Sequence, residues 1–141
     1  MPSQHHLTLQ TRAPGLVEVT EPVAAWVLSA APPGPALLSV FVRHTSASLL
    51  IQENADPDVQ TDLHAFFRRL APHADAADMG WITHRAEGPD DMPAHIKASV
   101  LPTSLAIPVA DGAMLLGRWQ GIYLFEHRDR PHRREIVLHL S

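Results

Sequence analysis

With no cysteine among 141 residues, thiolate metal sites, cysteine nucleophiles and disulfides are excluded, and any metal must be held by nitrogen and oxygen ligands. The chain has ten histidines instead. His5, His6, His73, His132 and His139 stand near the termini or in polar turns, and His64 falls mid-helix on the side away from the apolar stripe. These six are expected to be solvent-exposed side chains. Four remain. His44 ends a strand of buried type and is followed by Thr45 and Ser46, whose hydroxyls and amides suit an anion. His84 lies in a long irregular loop. His95 falls in the first turn of a short helix, a position that disfavours added positive charge. His127 ends a strand. Three neutral imidazoles with an open position suit zinc or a similar first-row ion. No H-E-x-x-H helix accompanies them.

Other polar residues admit two readings each. Asp91, in Gly88-Pro89-Asp90-Asp91, is either a helix cap or an acceptor that orients a histidine. The stretch lacks the alternating oxygen ligands of a calcium loop. Trp119, in Gly117-Arg118-Trp119-Gln120-Gly121, either packs on the core beside a bulge or lines a pocket with Gln120. Asn54 either lines the same pocket or helps to cap the helix that follows. Lys97 is an exposed helix residue or a phosphate ligand.

The elements that must position these residues are readable from periodicity. His6 to Thr11 alternates like a half-buried strand. Thr20 with Glu21 and Pro22 starts a helix whose Val23, Trp26 and Val27 share a face, and the prolines from Pro32 to Pro35 end it. Ala36 to Val42 is a dense apolar strand, which Ser48 to Gln52 either continues or turns back from. Asp56 and Pro57 open the clearest helix, with Val59, Leu63, Phe66, Phe67 and Leu70 as a core-facing stripe and Pro72 as its stop. Residues 72 to 93 are irregular, and such a stretch in a small domain is more often functional than accidental. A short helix follows from about Asp91 to Val100. Leu105 to Val109 and Met114 to Leu116 flank Asp111-Gly112, a hairpin signal. Strands from Trp119 to Glu126 and from Glu135 to Leu140 close the chain. The fold class is α+β: one compact domain over 1–141 with a large mixed, mostly antiparallel, sandwich-like β-sheet flanked by a few helices.

Composition bounds the partners. Apolar residues make up 45% and charged residues 18%, a globular balance. A formal charge of -4 offers no basic face to nucleic acid or to an anionic membrane. The most apolar region, Val23 to Val42, is broken by prolines and does not read as a membrane span. A start without a basic, apolar leader makes the cytoplasm the expected location.

The ordered blocks HTSASLLIQENADP, GPDDMPAHIKAS and GRWQGIYLFEHR closely resemble the YjbQ-like (UPF0047) family, over about His44 to Arg134. The resemblance implies a compact α+β fold with a large mixed sheet, a homotrimer, secondary thiamine-phosphate synthase activity and a metal near the histidines. Position by position it implicates His44 with Thr45 and Ser46, His84, Asp91 with His95, and His127 with Arg128. The expected metal ligands are His84, His95 and His127, for zinc or magnesium. Two departures stand out: Arg118 where the family usually has threonine, and Phe125 where cysteine is common.

Three functions follow as expectations. The first joins a pyrimidine methyl diphosphate to a thiazole phosphate, with Thr45, Ser46, Lys97 and Arg128 binding phosphate oxygens and Trp119 stacking on a heteroaromatic ring. The second is a metal-dependent hydrolase with Asp91 or Glu126 as general base. The third is a non-catalytic binding protein for a phosphorylated small molecule.

Overall fold

The computed structural model describes residues 2–141. Its strands are β1 (Ser3–Gln10), β2 (Gly15–Glu18), β3 (Pro35–Val42), β4 (Ala47–Glu53), β5 (Ser104–Ala110), β6 (Ala113–Met114), β7 (Gln120–Glu126) and β8 (Arg133–Leu140). Its α-helices are α1 (Thr20–Ala30), α2 (Pro57–Leu70) and α3 (Asp91–Val100). The strands divide into a five-stranded sheet, ordered β1-β8-β3-β5-β6, and a three-stranded sheet, ordered β2-β7-β4. Every pairing among the described residues is antiparallel.

One core unites the two sheets. Val23 and Val27 of α1 pack with Leu38 and Val40 of β3, Leu49 of β4, Ile122 and Leu124 of β7, and Ile136 and Leu138 of β8, all fully enclosed. Each such side chain contributes roughly 1.5–3 kcal/mol by leaving water. β7 is buried on both faces, which is why it reads as a nearly continuous apolar run. Ile122, Leu124 and Glu126 alternate with Tyr123, Phe125 and His127. Phe125 meets Phe67 of α2 edge to face at 5.4 Å, so the second set faces the helical layer.

Local chemistry explains the boundaries. Asp56 Oδ1 accepts from the Asp58 N–H, and Pro57 follows directly, so α2 starts where the cap and the fixed φ require. Asp111 and Gly112 both have positive φ, at 49° and 81°, as a tight two-residue hairpin demands. Two sequence expectations are corrected, and one strand has no sequence expectation at all. The segment after β3 neither continues it nor pairs with it: β4 crosses to the other sheet and pairs with β7. The short strand β2 carries no periodic signal and gains its identity only by pairing with β7. Of the α2 stripe only Phe67 is buried, and Phe66 and Leu70 stay exposed.

The irregular stretch after α2 is held as firmly as a helix. Arg85 donates from Nε to the Ile82 carbonyl at 3.0 Å, from Nη1 to that of Ala74 at 3.0 Å and from Nη2 to that of Met79 at 2.9 Å. Ala74, Met79 and Ile82 close a small apolar cluster beside it, on which Met92 and Ile96 of α3 pack. This cluster fixes the chain that presents His84.

Candidate functional site

α3 brings Asp91 and His95, four residues apart and therefore on one face, against His84 from the preceding loop. One ligand atom from each of the three lies within 4.8 Å of the others. His84 Nε2 stands 2.7 Å and His95 Nε2 3.2 Å from Asp91 Oδ2. The His95 Nδ1 lies 3.0 Å from the Thr45 carbonyl. A carbonyl only accepts, so Nδ1 carries the proton and Nε2 turns its lone pair toward Asp91. Two lone-pair atoms that close repel unless a proton or a metal ion lies between them. The donor set fits a first-row divalent ion of the zinc type, with two imidazoles and a carboxylate and with His95 already oriented by its second nitrogen.

Arg128 holds the carboxylate from behind. Its Nη1 donates to Asp91 Oδ1 at 2.8 Å, its Nε to Asp90 Oδ2 at 2.9 Å and its Nη2 to the Glu87 carbonyl at 3.1 Å. Burial would raise the Asp91 pKa, but the His84 hydrogen bond and the nearby His95 and Arg128 outweigh it and hold the carboxyl below its usual range. With its donors directed at the chain itself, Arg128 is a positioning residue rather than the phosphate ligand expected from the sequence.

The other expected residues are distributed differently. His127 does not join the trio: it is buried, its Nε2 lies 2.9 Å from the Ser48 hydroxyl, and Asp91 is the third group that could offer a ligand atom. His44 is half-buried and its Nε2 accepts from the Glu135 N–H at 2.9 Å. Burial and the Arg134 charge lower its pKa. Glu126, expected as a general base, is fully enclosed. It accepts from Thr11 Oγ1 at 2.6 Å, from the amides of His127 and Arg128, and from the Arg134 guanidinium. Burial raises its pKa, but these donors prevail and the group stays ionised. Every acceptor position is used within the fold, so Glu126 is a structural carboxylate.

Thr45 is exposed beside the trio, whereas the Ser46 hydroxyl accepts from Arg134 at 3.1 Å. Lys97 is buried, not the exposed helix residue that one reading anticipated. Trp119 is exposed rather than packed on the core, with the Arg118 guanidinium 4.6 Å from its ring centre. Gln120 closes its own turn by accepting from the Gly117 N–H at 2.7 Å. Asn54 does not cap α2, which Asp56 does; its N–H donates to the Trp119 carbonyl at 2.9 Å. Sequence reasoning missed Arg85 and Arg134. Arg85 binds carbonyls of its own loop, and Arg134 reaches Glu126 and the Ser46 carbonyl across the fold; neither contact leaves a signal in residue spacing.

The family model described as UPF0047 protein YjbQ-like matches residues 5–141. The chain is similar to YjbQ of Escherichia coli O157:H7, 42% identical over 138 residues covering 98% of this chain and 96% of the relative. It is 56% identical to the UPF0047 protein sll1880 of Synechocystis over 105 residues, 74% of this chain and 69% of the other. Among solved structures it resembles a YjbQ/UPF0047-family protein of Clostridium acetobutylicum, with a TM-score of 0.82, 31% identity and coverage of 95% and 97%. A protein of Aeropyrum pernix gives a TM-score of 0.81 at 30% identity, with 96% of each chain covered. The loop trio, α3 and β7 described above therefore lie in a chain that belongs to the YjbQ-like UPF0047 family.

Proposed function

We propose that the chain is a metal-assisted enzyme of phosphorylated small molecules, and within that class a thiamine-phosphate synthase-like transferase joining a pyrimidine methyl diphosphate to a thiazole phosphate. The observation that supports it is the convergence of His84, Asp91 and His95 on one space, with a donor set that suits zinc better than magnesium. In the reaction the thiazole nitrogen attacks the pyrimidine methylene. A C–N bond forms as the C–O bond to the diphosphate breaks, and pyrophosphate leaves with the electron pair. The displacement is direct and needs no protein nucleophile. A divalent ion, when bound, supplies positive charge to the departing pyrophosphate.

The chain's own residues prepare that step. The Thr45 carbonyl fixes the His95 ring, and Arg128 anchors one Asp91 oxygen so that the other stays with the imidazoles. His84 is half-exposed, leaving the site open to a ligand from solvent, and Thr45, whose carbonyl meets His95, is itself exposed. The hydrolase reading is less favoured, because Glu126 is enclosed and both Asp91 oxygens are engaged.

A homotrimer in the cytoplasm belongs to the same reading. The exposed Phe66 and Leu70 on α2 support a subunit contact, and light scattering would report its stoichiometry. No helix among the described residues is long and apolar enough to cross a membrane. The deciding experiment supplies the chain to a strain lacking thiamine-phosphate synthase, alongside metal analysis of the purified protein. Wild type is expected to restore growth and His95→Ala to fail, with stoichiometric metal in the first alone. Failure of wild type to restore growth, or a metal-free protein that does restore it, overturns the proposal.

A further inference from the structure

α3 carries chemistry on two sides. Asp91 and His95 face the trio; Pro93 and Lys97, also four residues apart, are turned to the opposite side at roughly 100° per residue and line a cavity of about 800 Å³. Its other walls come from α2, through His64 and Arg68, and from His127 at the end of β7.

Two cations border this cavity without an ion-pair partner, although the charges of Asp129 and Asp90 also reach Lys97. Lys97 is 9% and His127 2% exposed, yet among the described residues neither Lys97 nor Arg68 has an ion-pair partner. After burial itself, the next influence on His64 is the charge of Arg68, then of Lys97, and on His127 the charge of Lys97, so the four share one space. Of the carboxylates that border the cavity, Asp90 is bound by Arg128 and Asp129 by His73; Asp75 is exposed.

His127 is a neutral part of the lining. Its Nδ1 is the one buried side-chain polar atom among the described residues with no hydrogen-bond partner. Burial, reinforced by Lys97, lowers the pKa of the ring to about 3, so it is neutral at pH 7. The Ser48 hydroxyl has no other acceptor among the described residues, and by donating to Nε2 it leaves the ring proton on Nδ1. Two cations without ion-pair partners around one space are an unsatisfied arrangement that an anion would complete.

We propose that this cavity is a second ligand site, separate from the His84–Asp91–His95 trio, that takes the phosphate or pyrophosphate group of a small molecule through Lys97 and Arg68. Its volume leaves room for an organic moiety beyond the phosphate. The site stands whether or not the trio takes a metal.

The test is calorimetric titration of the full chain in EDTA-treated buffer at constant salt, with inorganic phosphate, pyrophosphate and phenyl phosphate as probes. Saturable binding is expected, weakened about tenfold or more by Lys97→Met and by Arg68→Gln. Arg68 is exposed, so its variant keeps the test valid if Lys97→Met fails to fold. Phenyl phosphate binding more tightly than inorganic phosphate identifies an ester as the occupant; equal affinities identify the free anion. His84→Ala is expected to leave all three affinities unchanged while removing zinc binding. Absence of saturable binding for every probe overturns the proposal, as does binding lost in His84→Ala but kept in Arg68→Gln. A wild-type chain that binds phosphate and no zinc sinks the metal-assisted reading alone.

Discussion

Two carboxylate–arginine pairs flank His127, and they differ in what they leave unclaimed. Glu126 and Arg134 are sealed in the core, with 0% and 4% of their side chains exposed, and the carboxylate is saturated by a hydroxyl, two amides and the guanidinium. Asp91 and Arg128 are nearly as buried at 2% and 15%, but Arg128 takes only Oδ1 and Oδ2 is left to two imidazoles. Burial and charge are similar in the two pairs. What separates the two pairs is a single carboxylate oxygen that takes no donor from the arginine.

The largest effect should come from breaking the sealed pair. Glu126→Ala strands a buried guanidinium and is expected to cost about 3–5 kcal/mol in urea unfolding. Asp91→Asn keeps an acceptor for Arg128, so it should cost less stability and yet abolish zinc binding. Equal losses of stability in the two variants would erase the distinction between the pairs.

Acid titration separates the groups next. His127 has its pKa lowered to about 3 from 6.5, so between those values the unfolded chain binds the extra proton and stability rises with pH. The expected slope is about 1.4 kcal/mol per pH unit, and His127→Phe should flatten it. Glu126 is depressed from 4.5, so its contribution is complete above that value and is lost as pH falls through its folded pKa. Just below pH 6.5 the slope is shared with His44 and His64, whose pKa values burial also lowers, and the part that His127→Phe removes belongs to His127 and not to the sealed pair. An unchanged slope in His127→Phe would contradict its neutral, desolvated state.

Arg128→Met tests the open pair by freeing Asp91 from behind, and should weaken zinc binding about 10–100-fold in a competition titration. An affinity unchanged from wild type would remove Arg128 from the site. The smallest effect belongs to Arg118→Ala, which uncovers the Trp119 face at the surface and should cost about 0.5–1 kcal/mol in thermal unfolding.

Much of the frame was legible because it is local. Pro57 after Asp56, Asp111-Gly112 and the prolines from Pro32 to Pro35 act through their own φ angles and caps, so α2, the β5–β6 hairpin and the end of α1 fall where the residues indicate. His84, His95 and Asp91 were legible as histidines and an acid in the right segments. The meeting of His84 with α3 depends on Arg85 gathering three carbonyls of its own loop, and nothing in the spacing announces that. His127 was misplaced for a related reason. Alternation along β7 turns it to the face of Phe125, and its neighbour there is Ser48, brought alongside only by the pairing of β4 with β7.

By itself, then, the sequence determined the α+β class, the helices, the Asp56 cap of α2, the hairpin, the exclusion of thiolate chemistry and the short set of histidines from which a site is drawn, whereas α1 and α3 start without a side-chain cap. Each rests on interactions within a few residues or on composition. The tertiary structure alone decided the division into two sheets, the sealing of Glu126 by Arg134, the entry of Asp91 in place of His127, and the cavity that sets Lys97 against Arg68 and His127. Those outcomes turn on which donors reach which acceptors across the fold, and a carboxylate or an imidazole takes its role from the lone pairs that remain once the rest of the chain has packed around it.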